Sequence, residues 1–328
     1  MTYHPKTYVN VNDRAGNDAT LMAPDVSSFA APAVVHLPEA QALTRFQHLE
    51  TTIDPEVATY WCFMKPAGRP SFSPELLADI TAMQRGIRQE FACRAQSGAT
   101  QLKYFVLASR IPGAFSLGGD LALFADRIRA ADRSALRHYA HHCIEAVYNN
   151  SISFGLPMIT VALVQGDALG GGFEAALACN LIVAEKSAKF GLPEVLFNLF
   201  PGMGAYSFLS RRLDAVRAER MILSGRTYSA EELHDMGLVD VVAEDGMGEL
   251  AVRDLIDRHQ RRHNAHEAVY QARRRVNPIT LEELLDVTDI WVDAALRLTE
   301  SDLRRMARLT AAQDRRKSAP NPLSIAAE

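Results

Sequence analysis

Three consecutive glycines, Gly170, Gly171 and Gly172, stand between a β-branched apolar run, "LPMITVALVQG", and the stretch "FEAALACNLIVAE". Glycine is costly inside a helix or a strand, so the backbone here must do something that other residues resist. The pattern predicts a tight turn from a buried strand into a helix, with helical periodicity from Phe173 to Val183. The first amides of a helix have no partner within the helix, and the helix dipole adds partial positive charge there. Without a Cβ, a bound group can approach those amides closely. Such a turn suits an anion or a developing oxyanion; the plainer alternative is a turn with no ligand. The run does not spell G-x-G-x-x-G, which argues against dinucleotide binding. No G-K-[ST] follows, which excludes a P-loop.

A second glycine turn lies upstream in "SRIPGAFSLGGDLALF", after the apolar strand "YFVLAS". Leu117-Gly118-Gly119-Asp120 offers another exposed amide, and an oxyanion hole needs donors from two segments. Two acids accompany the turns. Glu174 falls in the first turn of the helix after the glycines, and Glu194 lies 20 residues further on, in "KFGLPEVLFNLFPGMGAYSFL". Its apolar neighbours Phe190, Leu192, Val195, Leu196, Phe197 and Leu199 predict a buried carboxyl with a raised pKa, fit for general acid or base work. Either glutamate alone would pass for a solvated surface residue; the combination with both glycine turns is what carries weight.

Around these turns, strand-like and helix-like stretches alternate. "EVATYWCFMKPAG", "LKYFVLASR", "LPMITVALVQG" and "NLIVAEK" read as strands, and "SPELLADITAMQRGIRQEFACRA" and "LRHYAHHCIEAVYNNSISF" as helices. This is the pattern of an α/β protein with a mainly parallel sheet. Residues 1–35 read as a flexible arm and 316–328 as a loose tail. "DAVRAERMILSGRTYSAEELHDMGLVDVVAE" predicts a helix, a glycine-marked turn, a short helix and a small strand, and residues 251–315 are helical in pattern. That helical region must cover its own sheet or a neighbouring subunit.

Composition closes off several classes. Of 328 residues 48% are hydrophobic and 23% charged, with a formal net charge of -4, so no basic excess points to nucleic acid. Four cysteines, Cys62, Cys93, Cys143 and Cys179, lack C-x-x-C spacing and are expected as reduced thiols. No membrane span and no secretory signal are expected, so the default compartment is the cytoplasm. His138, His141 and His142 cluster by spacing, but no carboxylate or cysteine completes a zinc set, so no metal is expected. Ser116 lacks a G-x-S-x-G frame. The basic run "RRLDAVRAER" is read as a solvated helix face, the alternative being a patch that meets the phosphates of a carrier or cofactor. No cofactor is expected.

The segments "AFSLGGD", "LPMITVALVQGDALGGGFEAALACNLIVAEKSAKFGLPEV" and "FPGMGA" resemble the enoyl-CoA hydratase/isomerase (crotonase) superfamily, over roughly residues 55 to 250. The resemblance implies a spiral of β-β-α units, here residues 36–250, with the C-terminal helices used in oligomerisation as trimers or dimers of trimers. It implies an oxyanion hole for a thioester carbonyl, with donors placed by motif position on Leu117 and Gly171, and hydratase glutamates at Glu174 and Glu194. Within the superfamily, "PEVATYWCFMKPAGRPSFSPELL", "GDALGGGFEAAL" and "FNLFPGMGAYSFL" look closest to bacterial diffusible signal factor synthases. Asn180 and Gly119 stand where usual hydratases carry Asp and Ala. This implies dehydration of a 3-hydroxyacyl carrier-protein thioester to a cis-2-enoyl thioester and hydrolysis of acyl thioesters to free acids, for quorum sensing. A sensor kinase partner is implied in some bacteria. The alternatives are an ordinary enoyl-CoA hydratase using coenzyme A thioesters, or a crotonase-fold protein that binds a regulator.

Overall fold

The computed structural model describes residues 45–318. The expected arm, 1–35, lies outside the described residues. Of the expected tail, 316–318 form the end of the last helix and the rest lies outside.

The chain opens with strands β1 (Leu49–Asp54) and β2 (Thr59–Met64), an antiparallel pair joined by a tight turn, and helix α1 (Pro74–Ser97). α1 begins as its sequence dictates: the Ser73 hydroxyl accepts the Leu76 amide at 3.2 Å, Pro74 occupies the first turn, and Gly98 ends the helix at φ 70°. Three strand–strand–helix turns follow. The first is β3 (Tyr104–Ser109), β4 (Ala114–Ser116), α2 (Leu121–Arg129) and α3 (Arg133–Ser151). The second is β5 (Ile159–Val164), β6 (Asp167–Leu169) and α4 (Gly171–Leu177). The third is β7 (Leu181–Glu185), β8 (Lys189–Gly191) and α5 (Ala205–Arg212). α6 (Ala215–Ser224), β9 (Thr227–Ser229), α7 (Ala230–Asp235) and β10 (Val241–Ala243) come next, then α8 (Gly248–Gln260), α9 (His263–Val276), α10 (Leu281–Ala295) and α11 (Glu300–Ser318).

Each turn of this spiral sends its first strand to one sheet and its second to another. The six-stranded sheet runs β1-β2-β3-β5-β7-β10 and the four-stranded sheet β4-β6-β8-β9. From β2 to β10 the large sheet is parallel, with Val106 beside Val161 and Leu163 beside Val183. Its strands β2, β3, β5 and β7 are buried on both faces, which explains their unbroken apolar sequence. Side chains alternate across it. Tyr60, Cys62 and Met64 join the main core with α1 and α3, while Trp61 and Phe63 join Val252, Leu255 and Ile256 of α8 on the other face.

Three expectations are refined. Helical pattern through Val183 gives way at Leu177, because Leu181–Glu185 is drawn into the sheet as β7, where paired backbone outweighs a weak local preference. The division expected between residues 250 and 251 falls inside α8, whose apolar face covers the sheet. The long C-terminal amphipathic stretch is two helices, α10 and α11, and both pack on this chain's own spiral: Trp291, Val292 and Met306 share an apolar cluster with Leu136, Ala140 and Phe197. β1 and all four strands of the small sheet, β4, β6, β8 and β9, have no counterpart among the strands expected from sequence.

Candidate active site

In the small sheet β4, β6 and β8 run parallel, with Ser116 beside Ala168 and Leu169 beside Gly191. Parallel strands deliver their C-terminal ends to one edge. The loops leaving that edge are Leu117–Asp120, the Gly170 turn and the Leu192–Glu194 turn, so the motifs singled out in sequence become neighbours in space.

The glycines permit that closeness. A Cβ on Gly170, at φ +52°, would stand 2.4 Å from Oε1 of Glu194. A Cβ on Gly118, at φ +88°, would stand 2.9 Å from the amide nitrogen of Gly171. A side chain at either position would separate the two turns from each other or from the acid.

Glu174 and Glu194 line the same cavity. Glu174, in the first turn of α4, is 1% exposed. Its Oε1 accepts the amides of Met203 at 2.7 Å and Ala205 at 2.8 Å. Burial, followed by the neighbouring Glu194 carboxyl, holds its pKa well above the usual carboxyl range, against the two amides that pull the other way. Burial raises Glu194 to about 7. Its Oε2 is buried with no hydrogen-bond partner among the described residues. A carboxyl oxygen left bare inside a protein is unusual, and this one sits in a cavity wall. Both carboxyls are thereby held above the usual carboxyl range, chiefly by burial. The facing walls are apolar: Phe124, Tyr139, Phe197, Trp291 and Leu309. α10 and α11 supply the last two, so the C-terminal helices close the cavity over the glutamates.

The amides around the glycine turns correct one expectation. The Leu117 amide donates to the Pro70 carbonyl at 2.7 Å, and the Phe72 amide to the Gly118 carbonyl at 2.8 Å. These two bonds tie the 116–118 segment to residues 70–72, so Leu117 has no amide to spare for a ligand. Past the left-handed Gly118, the Gly119 amide donates to no described residue, and its nitrogen lies 3.5 Å from where a Cβ on Gly171 would stand. Gly171 opens α4, where an amide has no intrahelical partner, and none is supplied by another described residue. Gly119 and Gly171 both line the cavity. The open pair is thus Gly119 with Gly171. The Gly118-Gly119 dipeptide was the available signal, but which of its neighbours keeps a free amide depends on the pairing with residues 70–72.

Sequence reasoning also missed three supporting groups. The Met203 and Ala205 amides come from the "FPGMGA" turn, whose part in holding Glu174 is invisible until the chain folds. Tyr139 of α3 donates its hydroxyl to the Phe72 carbonyl and accepts the Asp120 amide at 3.1 Å, bracing the Gly119 loop. Cys143 lies in the cavity wall, and burial pushes its thiol up to about 12, which makes it an apolar lining rather than a nucleophile.

The remaining candidates lie elsewhere. His141 meets Asp289 at 2.8 Å, and the His138 and His142 rings pack edge to face. No group of three or more metal-ligating side chains occurs among the described residues. The Ser116 hydroxyl is spent on the Gly118 amide at 3.2 Å. All four cysteines are free, three of them buried. No described helix is long and apolar enough to cross a membrane.

Comparison with known proteins agrees with this architecture. A profile of the family described as enoyl-CoA hydratase/isomerase matches residues 68–286. Mitochondrial methylglutaconyl-CoA hydratase of Rattus norvegicus is 35% identical over 158 residues, 48% of this chain and 48% of that protein. Probable enoyl-CoA hydratase 2 of Arabidopsis thaliana is 30% identical over 182 residues, 56% of this chain and 55% of that protein. The chain spans about half the length of the curated relatives it matches. Among solved structures, enoyl-CoA hydratase from Bacillus halodurans aligns with a TM-score of 0.67 at 22% identity, over 80% of this chain and 99% of that one. Pseudomonas aeruginosa DspI aligns with a TM-score of 0.57 at 24% identity, over 73% and 86%. At such identities the two likenesses speak to the fold.

Proposed function

The chain belongs to the enoyl-CoA hydratase/isomerase family, and on that footing we propose that it dehydrates 3-hydroxyacyl thioesters to 2-enoyl thioesters and releases free acids as a diffusible signal factor synthase. The observation that carries the dehydration is the pair Glu174 and Glu194, buried in one cavity with two unpaired amides and both raised above the usual carboxyl range. The sequence resemblance in "PEVATYWCFMKPAGRPSFSPELL" and "FNLFPGMGAYSFL" supports the narrower reading, with a cis product, a carrier-protein thioester and thioester hydrolysis.

The contacts suggest a division of roles. Glu194, whose Oε2 has no partner among the described residues, takes the proton from the carbon next to the thioester. The electron pair of that C–H bond moves into the carbonyl, and the resulting enolate oxygen rests against the Gly119 and Gly171 amides. Removing one such donor costs about 3 kcal/mol in other enzymes. As the enolate collapses, the bond to the 3-hydroxyl breaks and Glu174 gives that oxygen its proton, so water leaves. Glu194 ends protonated and Glu174 ionised, and one proton passed back between them resets the site. For hydrolysis, the same amides would hold a tetrahedral oxyanion while a glutamate activates water.

The 35% identity to a coenzyme A hydratase favours a second reading, hydration of an enoyl-CoA without release of acid. Mass spectrometry of the products from a panel of 3-hydroxyacyl carrier-protein and coenzyme A thioesters separates the two. A cis-2-enoic acid that disappears in Glu174→Gln and Glu194→Gln is expected. A reversible trans-2-enoyl thioester with no free acid would replace the proposal by the hydratase reading. Wild-type turnover in either variant would remove that glutamate from the mechanism.

A further inference from the structure

At the end of α4 opposite the glycine turn, a cleft of about 410 Å³ opens between the C-terminal ends of α3, α4 and α5, the loop before β10, and α9. Arg211, Arg212, Arg273 and Arg274 line it, and Asp240 is the one carboxylate among its described lining residues.

The charges do not balance. Arg211 is forked onto Glu283, at 2.8 and 2.6 Å. Arg274 has Glu267 only at 3.8 Å, with the Ser153 hydroxyl at 3.3 Å. Arg212 donates to the Leu177 carbonyl at 3.1 Å and to the Cys179 carbonyl, which carry partial charge only. Arg273 forms no ion pair with a described residue and lies 4.9 Å from the centre of the Tyr270 ring. Asp240 is itself engaged by the Ile182 amide at 2.7 Å. Asn180, on the cleft wall, is neutral, and its Oδ1 is taken up by Ser153 and Thr160. Loss of hydration pulls Arg212 and Arg273 below the usual guanidinium range. Asp240 acts on both Arg212 and Arg273; one carboxylate facing two partly desolvated cations leaves a positive surplus, which an incoming anion would offset.

We propose that this cleft binds a diphosphate-type anion, at a site separate from the catalytic cavity. Guanidinium forks match phosphate oxygens two at a time, and Arg212, Arg273 and Arg274 line this cleft with Asp240 and, 3.8 Å from Arg274, Glu267 as their carboxylates. The space exceeds a single phosphate, and the Tyr270 ring and Phe208 give it an apolar side for an organic group. α4 has 7 residues, so its two ends stand about 10 Å apart. That spacing keeps the cleft distinct from the oxyanion amides, and the proposal does not depend on the dehydratase reading.

Isothermal titration calorimetry of the full chain with inorganic pyrophosphate and with ADP tests this. One saturable site is expected, weakened about ten-fold or more in Arg273→Ala and in Arg274→Ala, and unchanged in Arg258→Ala and Glu174→Gln. Tighter binding of ADP than of pyrophosphate would assign the site to a nucleotide diphosphate; equal binding would assign it to the free anion. No saturation at millimolar pyrophosphate, binding indifferent to both arginine variants, or binding lost in Glu174→Gln would overturn the proposal. So would a change of oligomeric state in Arg273→Ala without pyrophosphate binding by the wild type, which would give the arginines to a protein interface.

Discussion

Replacing Glu194 by Gln should abolish dehydration and at the same time stabilise the protein, increasingly as the pH rises above about 4.5. Folding raises the Glu194 carboxyl from the ordinary 4.5 to about 7. The unfolded chain therefore releases this proton first, and between pH 4.5 and 7 the folded state binds more protons than the unfolded one. Stability falls with rising pH across that window, by about 1.4 kcal/mol for each pH unit, or about 3 kcal/mol in all. Below pH 4.5 both states are protonated and nothing is lost; above 7 both are ionised and the loss is complete. Gln has nearly the same shape and does not titrate. The variant should match the wild type at pH 4.5 and exceed it by about 3 kcal/mol at pH 8. Urea denaturation of both proteins at several pH values measures this, and taking the difference between the two chains cancels every titrating group that does not interact with Glu194; Glu174, which does, contributes to the difference. In parallel, the pH profile of wild-type kcat/KM should rise through about 7 as Glu194 ionises, and the variant should lose at least ~100-fold in kcat. A stability difference that stays flat from pH 4.5 to 8 would refute the buried carboxyl and the role built on it. So would a variant that is the weaker protein at pH 8.

Other changes probe the supports of the site. Gly170→Ala would bring a methyl to 2.4 Å from Glu194 Oε1 at φ +52°; urea denaturation should show a loss of about 1–3 kcal/mol, with turnover falling far more than ligand affinity. Tyr139→Phe removes the hydroxyl shared by the Phe72 carbonyl and the Asp120 amide. It should cost about 1–3 kcal/mol in the same assay and lower kcat through the loosened Gly119 loop. Ser73→Ala, whose side chain does not line the cavity, should lose only the cap of α1, about 1 kcal/mol, with kcat unchanged in steady-state assays.

Where the chain carried strong local patterns, sequence and structure agree. Ser73-Pro74 opens α1, the β-branched run from Ile159 is a central strand, and the glycine run turns that region of chain into α4. Leu117 is the instructive miss. Its place beside Gly118 marks the right loop, yet an amide is open only if nothing else claims it, and Pro70, some 47 residues earlier, claims this one. The same holds for α4, which stops at Leu177 because the large sheet recruits the next residues.

The chemistry-bearing residues, Glu174, Glu194 and the glycines between and before them, were determined by the sequence alone, because residue type and spacing fix what a turn can expose and what a side chain can titrate. Their tuning was decided by the tertiary structure. Only the fold sets Met203 and Ala205 on Glu174, leaves Glu194 Oε2 without a partner, leaves Gly119 rather than Leu117 open, and closes the cavity with Trp291 and Leu309. Burial and hydrogen-bond competition involve groups tens to more than a hundred residues apart, and no local pattern in a chain can record which of them will meet.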